Sequence, residues 1–276
     1  MLHLTVGGMD RSYLLHLPPS HDGKTKLPFV IALHGGGGHA ENAARMTGLS
    51  EKADAEGFAV VYPNGTGRFE DKLLTWNAGN CCGRALDQGV DDVGFIRSLL
   101  DTLAAQLPLD PRRVYATGMS NGGMMAYRLG CELADRIAAI GPVAGALNAK
   151  PCNPSAPISL VVVHGMEDEH VLYAGGAPKK RVDPHPRVDA SVADATSFFV
   201  ARNGCHKTPA RLEQGRLIQE AYTGCQQGTE VWVYSIKGEG HTWPGGRKGS
   251  PWADDPAEEI SATDLLWDFF KKHPKP

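Results

Sequence analysis

The sequence predicts one α/β domain, residues 1–276, with a mostly parallel sheet and helices on both faces. Apolar segments that favour strands alternate along the 276 residues with segments of helical periodicity. This alternation is typical of parallel sheets covered by helices. The apolar fraction is 42%, so the chain can bury a substantial core. The loop at Tyr173–Asp189 is too short to separate two domains.

The predicted elements follow in chain order. We expect strands at Tyr13–Leu17, Pro28–Leu33, Phe58–Tyr62, Arg113–Thr117, Ile137–Val143, Ile158–His164, near Leu217, and at Val231–Ile236. We expect helices at about Ala43–Ala55, Val93–Leu107, Asn121–Leu133, Val192–Asn203 and Ala262–Lys272. The patterns Ser191 with Asp194 and Ser261 with Asp264 are typical of capping boxes, and they open the last two helices.

Charge and hydropathy exclude several classes of partner. The net charge is −3, from 28 basic and 31 acidic residues, so we expect neither a nucleic acid nor an anionic membrane as partner. The longest apolar segments, such as Ile158–Val163, have the length of a strand and cannot span a bilayer. The oligomeric state is not readable from these features.

The N-terminus and the cysteines bear on the compartment. Met1–Arg11 has no basic segment followed by an apolar one, so it is not a signal peptide. The protein is therefore either intracellular or a mature form whose leader has been removed. The six cysteines form no CxxC pair and no zinc-binding spacing. They are either buried thiols or disulfides of an oxidising compartment.

A candidate nucleophile lies where a predicted strand meets a predicted helix. Gly118-Met119-Ser120-Asn121-Gly122 matches the G-x-S-x-G nucleophile elbow in that context. The sharp turn leaves no room for side chains at Gly118 and Gly122. The N-terminus of the following helix offers free N–H groups to developing negative charge.

Candidate partners for Ser120 follow it in the order acid, then histidine, that this elbow requires. Asp168 lies in a loop after the strand at Ile158–His164, and His241 lies in a glycine-rich loop after the strand at Val231–Ile236. Asp168 would orient the imidazole of His241, which would act as base and then as acid.

Other residues in the same loops are rival candidates. Glu167 and Glu169 flank Asp168 and are either the true acid or solvated loop charges. His164 and His170 are alternative histidines, and we interpret His164 as a structural residue at a strand end. A metal site formed by His164, Asp168 and His170 is a further alternative, but the sequence suggests no further strong ligand to complete it.

A second glycine-rich loop, His34-Gly35-Gly36-Gly37-Gly38, also follows a strand. Acyl transfer needs two N–H donors at the oxyanion, and Asn121 with the Gly35–Gly36 segment would supply them from the backbone. The competing interpretation is a dinucleotide fingerprint, because Gly35, Gly37 and Ala40 match G-x-G-x-x-A. That fingerprint requires an acid after the next strand, where this chain has Pro63-Asn64-Gly65.

Seen together, these motifs resemble the esterase group that contains polyhydroxybutyrate depolymerases and feruloyl esterases of the carbohydrate-esterase 1 type. The resemblance covers nearly the whole chain and lies in eight segments: Gly7–Tyr13, Leu33–Gly37, Tyr62–Gly65, Trp76–Gly83, Val90–Phe95, Gly118–Met124, His164–Asp168 and Gly240–Gly245. One departure is that Met166 and Glu167 stand where the group commonly has small or neutral residues.

The resemblance implies an α/β-hydrolase fold with Ser120, Asp168 and His241 as catalytic triad. It implies an oxyanion hole from Asn121 and the Gly35–Gly36 segment, without metal or cofactor. Members of the group are usually exported, which predicts an extracellular or periplasmic protein with its leader absent from this chain. The same resemblance favours disulfides over buried thiols.

The resemblance also predicts one disulfide bond. Cys205 and Cys225 resemble a local disulfide of the group, whereas the pairing of Cys81, Cys82, Cys131 and Cys152 is not readable, since six cysteines allow 15 connectivities.

The expected activity is therefore hydrolysis of feruloyl, small aryl or short-chain acyl esters, free or linked to polysaccharide, through an acyl-enzyme. Alternatives are depolymerisation of polyhydroxybutyrate, an acetylxylan esterase, a peptidase, or a binding module without catalysis. Trp243 and Trp76 are expected either to form an apolar wall for the acyl group or merely to pack their loops. Because no residues remain for a separate adsorbing module, we expect a preference for small esters over solid polymer.

Overall fold

Ten strands form one sheet in the computed structural model, which describes residues 1–69, 72–180, 185–249 and 253–276. The strands are β1 (Leu2–Val6), β2 (Met9–His16), β3 (Leu27–Leu33), β4 (Ala59–Pro63), β5 (Leu109–Met119), β6 (Ala139–Val143), β7 (Ser159–Gly165), β8 (Ala210–Gln214), β9 (Leu217–Tyr222) and β10 (Val231–Ile236). The helices are α1 (Ala40–Thr47), α2 (Leu49–Glu56), α3 (Gly83–Asp87), α4 (Asp92–Gln106), α5 (Asn121–Glu132), α6 (Val192–Asn203) and α7 (Ala262–Phe270).

The sheet has a parallel centre and antiparallel edges. Its strand order is β1-β2-β4-β3-β5-β6-β7-β10-β9-β8. The strands from β4 to β10 in this order run parallel, and the remaining pairings are antiparallel. Because the carboxyl ends of parallel strands meet at one edge, the loops after β3, β5, β7 and β10 come together there. The predicted mostly parallel sheet is confirmed.

Each face of the sheet has its own apolar core. Neighbouring strand residues point to opposite faces, so Ile31 packs in one core and Val30 in the other. Helices α4, α5 and α6 cover the first face, and α1, α2 and α7 cover the second. Their core residues include Phe95, Met125 and Phe199 on the first face, and Ala43, Ala53 and Leu266 on the second. The predicted coverage of both faces is thus confirmed.

Several element boundaries differ from the prediction. The helix expected at Ala43–Ala55 is two helices, because Gly48 between α1 and α2 has a left-handed backbone with φ of 63°. Strands β1 and β8 and the short helix α3 were not predicted. All five residues of β8 are exposed, so this strand lacks the apolar alternation that predicts strands.

The capping-box prediction is confirmed in full at α6 and in half at α7. Ser191 and Asp194 form a complete capping box at α6. At α7 the Ser261 side chain accepts the N–H of Asp264. In the described ranges, no helix is long and apolar enough to cross a bilayer.

All six cysteines form disulfides. The bonds are Cys81–Cys82, Cys131–Cys152 and Cys205–Cys225. The pair Cys205–Cys225 is the one that the resemblance predicted, and the structure supplies the two that the sequence left open.

Candidate active site

Ser120 stands on the sharp turn between β5 and α5. Its backbone has φ of 58° and ψ of −121°, a conformation that L-residues adopt rarely and at a cost in free energy. Two hydrogen bonds hold the turn: the Ser120 N–H donates to Val143 O at 2.9 Å, and the Ser120 carbonyl accepts the Met124 N–H at 2.8 Å. The strained turn therefore presents the hydroxyl at the carboxyl edge of the sheet.

The glycines on either side of this turn are required by close backbone contacts. A Cβ atom on Gly118 would lie 2.6 Å from the backbone of Gly122, and one on Gly122 would lie 2.3 Å from Leu33 O. Real Cβ atoms do not approach backbone so closely. The steric reason predicted for both glycines is thus present in the structure.

Asp168 and His241 come together from neighbouring parallel strands. Asp168 follows β7 and His241 follows β10, and these strands pair in register as far as Gly165 and Ile236. His241 Nδ1 lies 2.7 Å from Asp168 Oδ2. Because an ionised carboxylate only accepts hydrogen bonds, Nδ1 carries the proton and Nε2 has a free lone pair.

The carboxylate of Asp168 is buried, and both of its oxygens accept hydrogen bonds. Its Oδ1 accepts the N–H groups of His170 and Val171 at 2.8 and 2.9 Å. Burial by itself opposes ionisation, but His241 and His164 beside the carboxylate favour it. Together they hold the pKa of Asp168 well below its usual range. Asp168 is therefore an anion next to the imidazole at neutral pH.

The rival acids occupy different environments. Glu167 is exposed, and Glu169 pairs with Lys180 at 2.8 Å. The structure thus brings Asp168, and neither glutamate, into hydrogen-bond contact with His241 among the described residues.

The rival histidines flank the pair. His164 is buried, and its Nε2 lies 2.8 Å from Val171 O and 3.4 Å from Asp168 Oδ2. It therefore fastens the Asp168 loop, in line with its interpretation as a structural residue. The His170 ring lies 4.9 Å from the His241 ring. Burial, and then the neighbouring His241, lower the pKa of His170.

Two acids that the sequence analysis missed hold the His241 loop. Asp254 accepts the backbone N–H of His241 at 2.9 Å. Glu239 is buried and accepts hydrogen bonds from the Thr242 hydroxyl, from the Ala257 N–H at 3.1 Å and from Arg216 at 3.1 Å. No short motif marks either residue.

His34 fixes the glycine-rich loop after β3 through hydrogen bonds with the backbone. The Gly65 N–H donates to His34 Nε2 at 3.0 Å, so the proton sits on Nδ1, which donates to Gly35 O at 2.8 Å. Burial lowers the pKa of His34 to about 4. A neutral imidazole thus fixes the loop in place.

The predicted oxyanion donors lie next to Ser120. Gly35, Gly36 and Asn121 line the same cavity as Ser120. Within the described residues, their backbone N–H groups donate to no protein acceptor. The Asn121 side chain points elsewhere, because it exchanges hydrogen bonds of 2.7 and 3.0 Å with the backbone of Trp76.

The cavity has a volume of about 710 Å³ and a mixed lining. Ser120 and His241 lie in it together. Its apolar wall consists of Met46, Leu73, Met119, Met124, Trp243 and the Cys81–Cys82 disulfide. Such a volume suits a small organic ligand.

The two tryptophans differ from each other. Trp243 lines the cavity with a small part of its surface, and its indole N–H donates to Thr263 Oγ1 at 3.0 Å. Trp76 has 0% exposure, and its indole N–H donates to His34 O at 3.0 Å. The expectation that Trp76 contacts substrate is corrected, because its ring is sealed in the core behind the glycine loop.

Comparison with known proteins places this geometry in a class. The mostly parallel sheet covered by helices matches the α/β-hydrolase fold of solved esterase structures. The family model described as Esterase PHB depolymerase matches residues 11–172. The chain belongs to this family and is a carboxylic-ester hydrolase, as the resemblance predicted.

Individual relatives agree with this assignment. The NocK protein of Nocardia uniformis subsp. tsuyamanensis is 32% identical, over 96% of this chain and 80% of its own. Feruloyl esterase B of Piromyces equi is 28% identical over 96% of this chain, which spans 46% of that enzyme. The structure of an acetyl xylan esterase from Aspergillus awamori superposes with a TM-score of 0.64 at 13% identity, covering 94% of this chain and 93% of its own. That likeness shows the fold.

Proposed function

We propose that the chain is a serine esterase that hydrolyses feruloyl, other small aryl and short-chain acyl esters through an acyl-enzyme on Ser120. The observation that carries the proposal is the Asp168–His241 pair, with 2.7 Å between Oδ2 and Nδ1, in the cavity that holds Ser120. A serine hydroxyl becomes a competent nucleophile when a neighbouring base takes its proton.

In the first half-reaction, Ser120 Oγ attacks the ester carbonyl and His241 Nε2 takes the hydroxyl proton. The carbonyl oxygen becomes an anion, which the N–H groups of Asn121 and the Gly35–Gly36 segment stabilise. Collapse of the tetrahedral intermediate breaks the bond to the alcohol oxygen, which receives its proton from His241. Asp168 orients the imidazole and stabilises its cation throughout.

In the second half-reaction, water replaces the alcohol. His241 takes a proton from the water as its oxygen attacks the acyl carbon, and the same N–H groups stabilise the second oxyanion. Collapse returns the proton to Ser120 Oγ and releases the carboxylic acid. The cycle consumes one water and requires no cofactor.

The proposed substrate class follows from the cavity and from the relatives. A cavity of about 710 Å³ with Trp243 and methionines in its wall accommodates an aromatic or short acyl group. One relative with 96% coverage of this chain is named a feruloyl esterase. Depolymerisation of polyhydroxybutyrate oligomers is the second candidate, which the family description favours.

We propose that the protein acts in an extracellular or periplasmic compartment. The support is the set of three disulfides, which use every cysteine of the chain. Disulfides persist in oxidising compartments and are rare in the cytosol.

Steady-state kinetics with substitutions at the proposed triad test the mechanism. Ser120→Ala and His241→Ala should each lower kcat on p-nitrophenyl butyrate by about 10⁶-fold, because triad members act as a unit. Circular dichroism should show an unchanged fold for both variants. Glu169→Gln is the matched control, since Glu169 pairs with Lys180 at the surface. Retention of a tenth of the activity by Ser120→Ala would contradict the mechanism.

A substrate panel tests the proposed class. We expect hydrolysis of methyl ferulate and p-nitrophenyl butyrate to exceed clearing of a polyhydroxybutyrate film. Clearing of the film at a higher rate than hydrolysis of either soluble ester would favour the second candidate. Hydrolysis of amides without any hydrolysis of esters would contradict both candidate functions.

A further inference from the structure

Cationic side chains dominate the charged lining of the cavity. Lys180, Arg187, Arg247 and Lys248 line it, and Asp254 is the acidic residue among the described lining residues. The whole chain, by contrast, carries a net charge of −3. The concentration of cationic side chains at the cavity is therefore local and is not a consequence of overall composition.

Acidic partners neutralise three of the four cations. Arg187 Nε lies 3.0 Å from Asp189 Oδ1 in a buried pair, and Lys180 Nζ lies 2.8 Å from Glu169 Oε2. Lys248 Nζ lies 2.6 Å from Asp255 Oδ1 at the surface. These three side chains are already engaged by the protein.

Arg247 differs from the other three cations. Its side chain is exposed, and within the part of the chain that the structure describes it has no ion pair or hydrogen bond. Its backbone is nevertheless fixed, because the Arg247 N–H donates to Met46 O at 2.9 Å. Asn42 Nδ2 holds the same loop through Gly249 O at 2.9 Å. Arg247 is thus an unpaired guanidinium on an anchored loop at the cavity wall.

We propose that Arg247 binds a carboxylate carried by the substrate, so that the enzyme prefers esters with an anionic group besides the ester that is cleaved. The inference rests on the proposed function and names a subclass of its substrates. A guanidinium offers two parallel N–H donors that match a carboxylate. Asp254, the acidic residue among the described lining residues, accepts the His241 N–H, and it forms no ion pair with Arg247 within the described ranges.

The chemistry leaves two positions for the carboxylate, on the acyl part or on the alcohol part of the ester. Two matched pairs of substrates separate them. p-Nitrophenyl butyrate and the mono-p-nitrophenyl ester of succinic acid differ in the acyl part. Phenyl acetate and 3-carboxyphenyl acetate differ in the alcohol part. In each pair the measured quantity is the ratio of kcat/KM for the anionic ester to kcat/KM for the neutral ester.

The ratio is measured for the wild type and for Arg247→Gln. Because both enzymes act on the same two esters, the intrinsic reactivities of the esters cancel in this comparison. Arg247→Gln should lower the ratio about tenfold in one of the two pairs, a factor in the range of a charge-assisted hydrogen bond at a partly exposed site. Arg247→Lys should restore part of the loss, since it keeps the charge without the planar fork. The wild-type ratio should also fall with added salt.

Lys207→Gln is the matched control, because it removes the same charge from an exposed residue outside the cavity lining. It should leave both ratios unchanged. An unchanged ratio in both pairs for Arg247→Gln, with neutral esters still cleaved by the wild type, overturns this inference and leaves the proposed function standing. An equal drop for Lys207→Gln also overturns it. Absence of any ester hydrolysis by the wild type contradicts the proposed function itself.

Discussion

At the scale of single residues, the site depends on which carboxylate reaches His241. Asp168→Asn should lower kcat/KM by about 10⁴-fold, because an amide favours the wrong imidazole tautomer while the shape is kept. Glu167→Gln, a matched change one residue earlier, should leave the activity within about twofold of wild type, since this side chain is exposed. Steady-state kinetics with p-nitrophenyl butyrate measure both. If Asp168→Asn left kcat/KM nearly unchanged and Glu167→Gln or Glu169→Gln lowered it strongly, the catalytic acid would be one of the glutamates.

His34 makes a second prediction, which concerns stability and not rate. Its ordinary pKa of 6.5 applies to the unfolded chain, and burial lowers the pKa to about 4 in the folded protein. Between these values the unfolded state binds more protons, so the free energy of unfolding rises with pH. From pH 4 to 6.5 His34 contributes an increase of about 3 kcal/mol.

Urea unfolding at several pH values, with the disulfides intact, measures this contribution. His34→Asn keeps a side chain that can accept the Gly65 N–H but has no ionisable group. The increase in unfolding free energy between pH 4 and 6.5 should be smaller in this variant by about 3 kcal/mol. Equal increases in unfolding free energy in the two proteins would show that folding does not lower the pKa of His34.

At the scale of elements, periodicity predicted the centre of the sheet better than its edges. Apolar runs such as Ile158–His164 identified the buried strands, because both faces of a parallel sheet are covered. The exposed strand β8 has no such run. The division of the first predicted helix depends on Gly48, whose left-handed conformation is a property of the folded backbone and has no unambiguous signal in one sequence.

The sequence likewise predicted some residues of the candidate site and missed others. Motifs after three strands predicted Ser120, Asp168 and His241, and the structure brings the last two into contact and all three to one edge of the sheet. Asp254 was missed, because its hydrogen bond with the His241 N–H joins residues 13 apart in the chain and no motif marks it. Trp76 was misplaced because sequence alone does not distinguish an indole that lines a cavity from one sealed behind it.

The disulfide Cys205–Cys225 makes a prediction about the α6–β10 region. The two cysteines are 20 residues apart, and the chain-entropy model gives about 3 kcal/mol of stabilisation for a loop of this size. The double variant Cys205→Ser/Cys225→Ser should lose this amount in urea unfolding. Cys131 and Cys152, 21 residues apart, form a matched pair with a similar expected loss. Recovery of Cys205 and Cys225 as free thiols in non-reducing peptide mapping would contradict the bond.

At the scale of the whole molecule, the parallel sheet joins residues that lie far apart in the chain. The loops that carry Gly35, Ser120, Asp168 and His241 follow β3, β5, β7 and β10. These strands run in one direction, so their carboxyl ends meet. The cores on both faces keep the sheet rigid, and the strained turn at Ser120 depends on that support. Catalysis by this chain is therefore a property of the folded sheet as a unit.

Ser120 is the proposed nucleophile of the esterase, and covalent labelling is a direct test of this role. The protein is treated with diethyl p-nitrophenyl phosphate, and intact mass and peptide mapping are followed alongside esterase activity. We predict that activity falls in proportion to one phosphoryl adduct per chain, located on Ser120, and that Ser120→Ala acquires none. Complete inactivation with the adduct on another residue, or full labelling of Ser120→Ala, would contradict the claim.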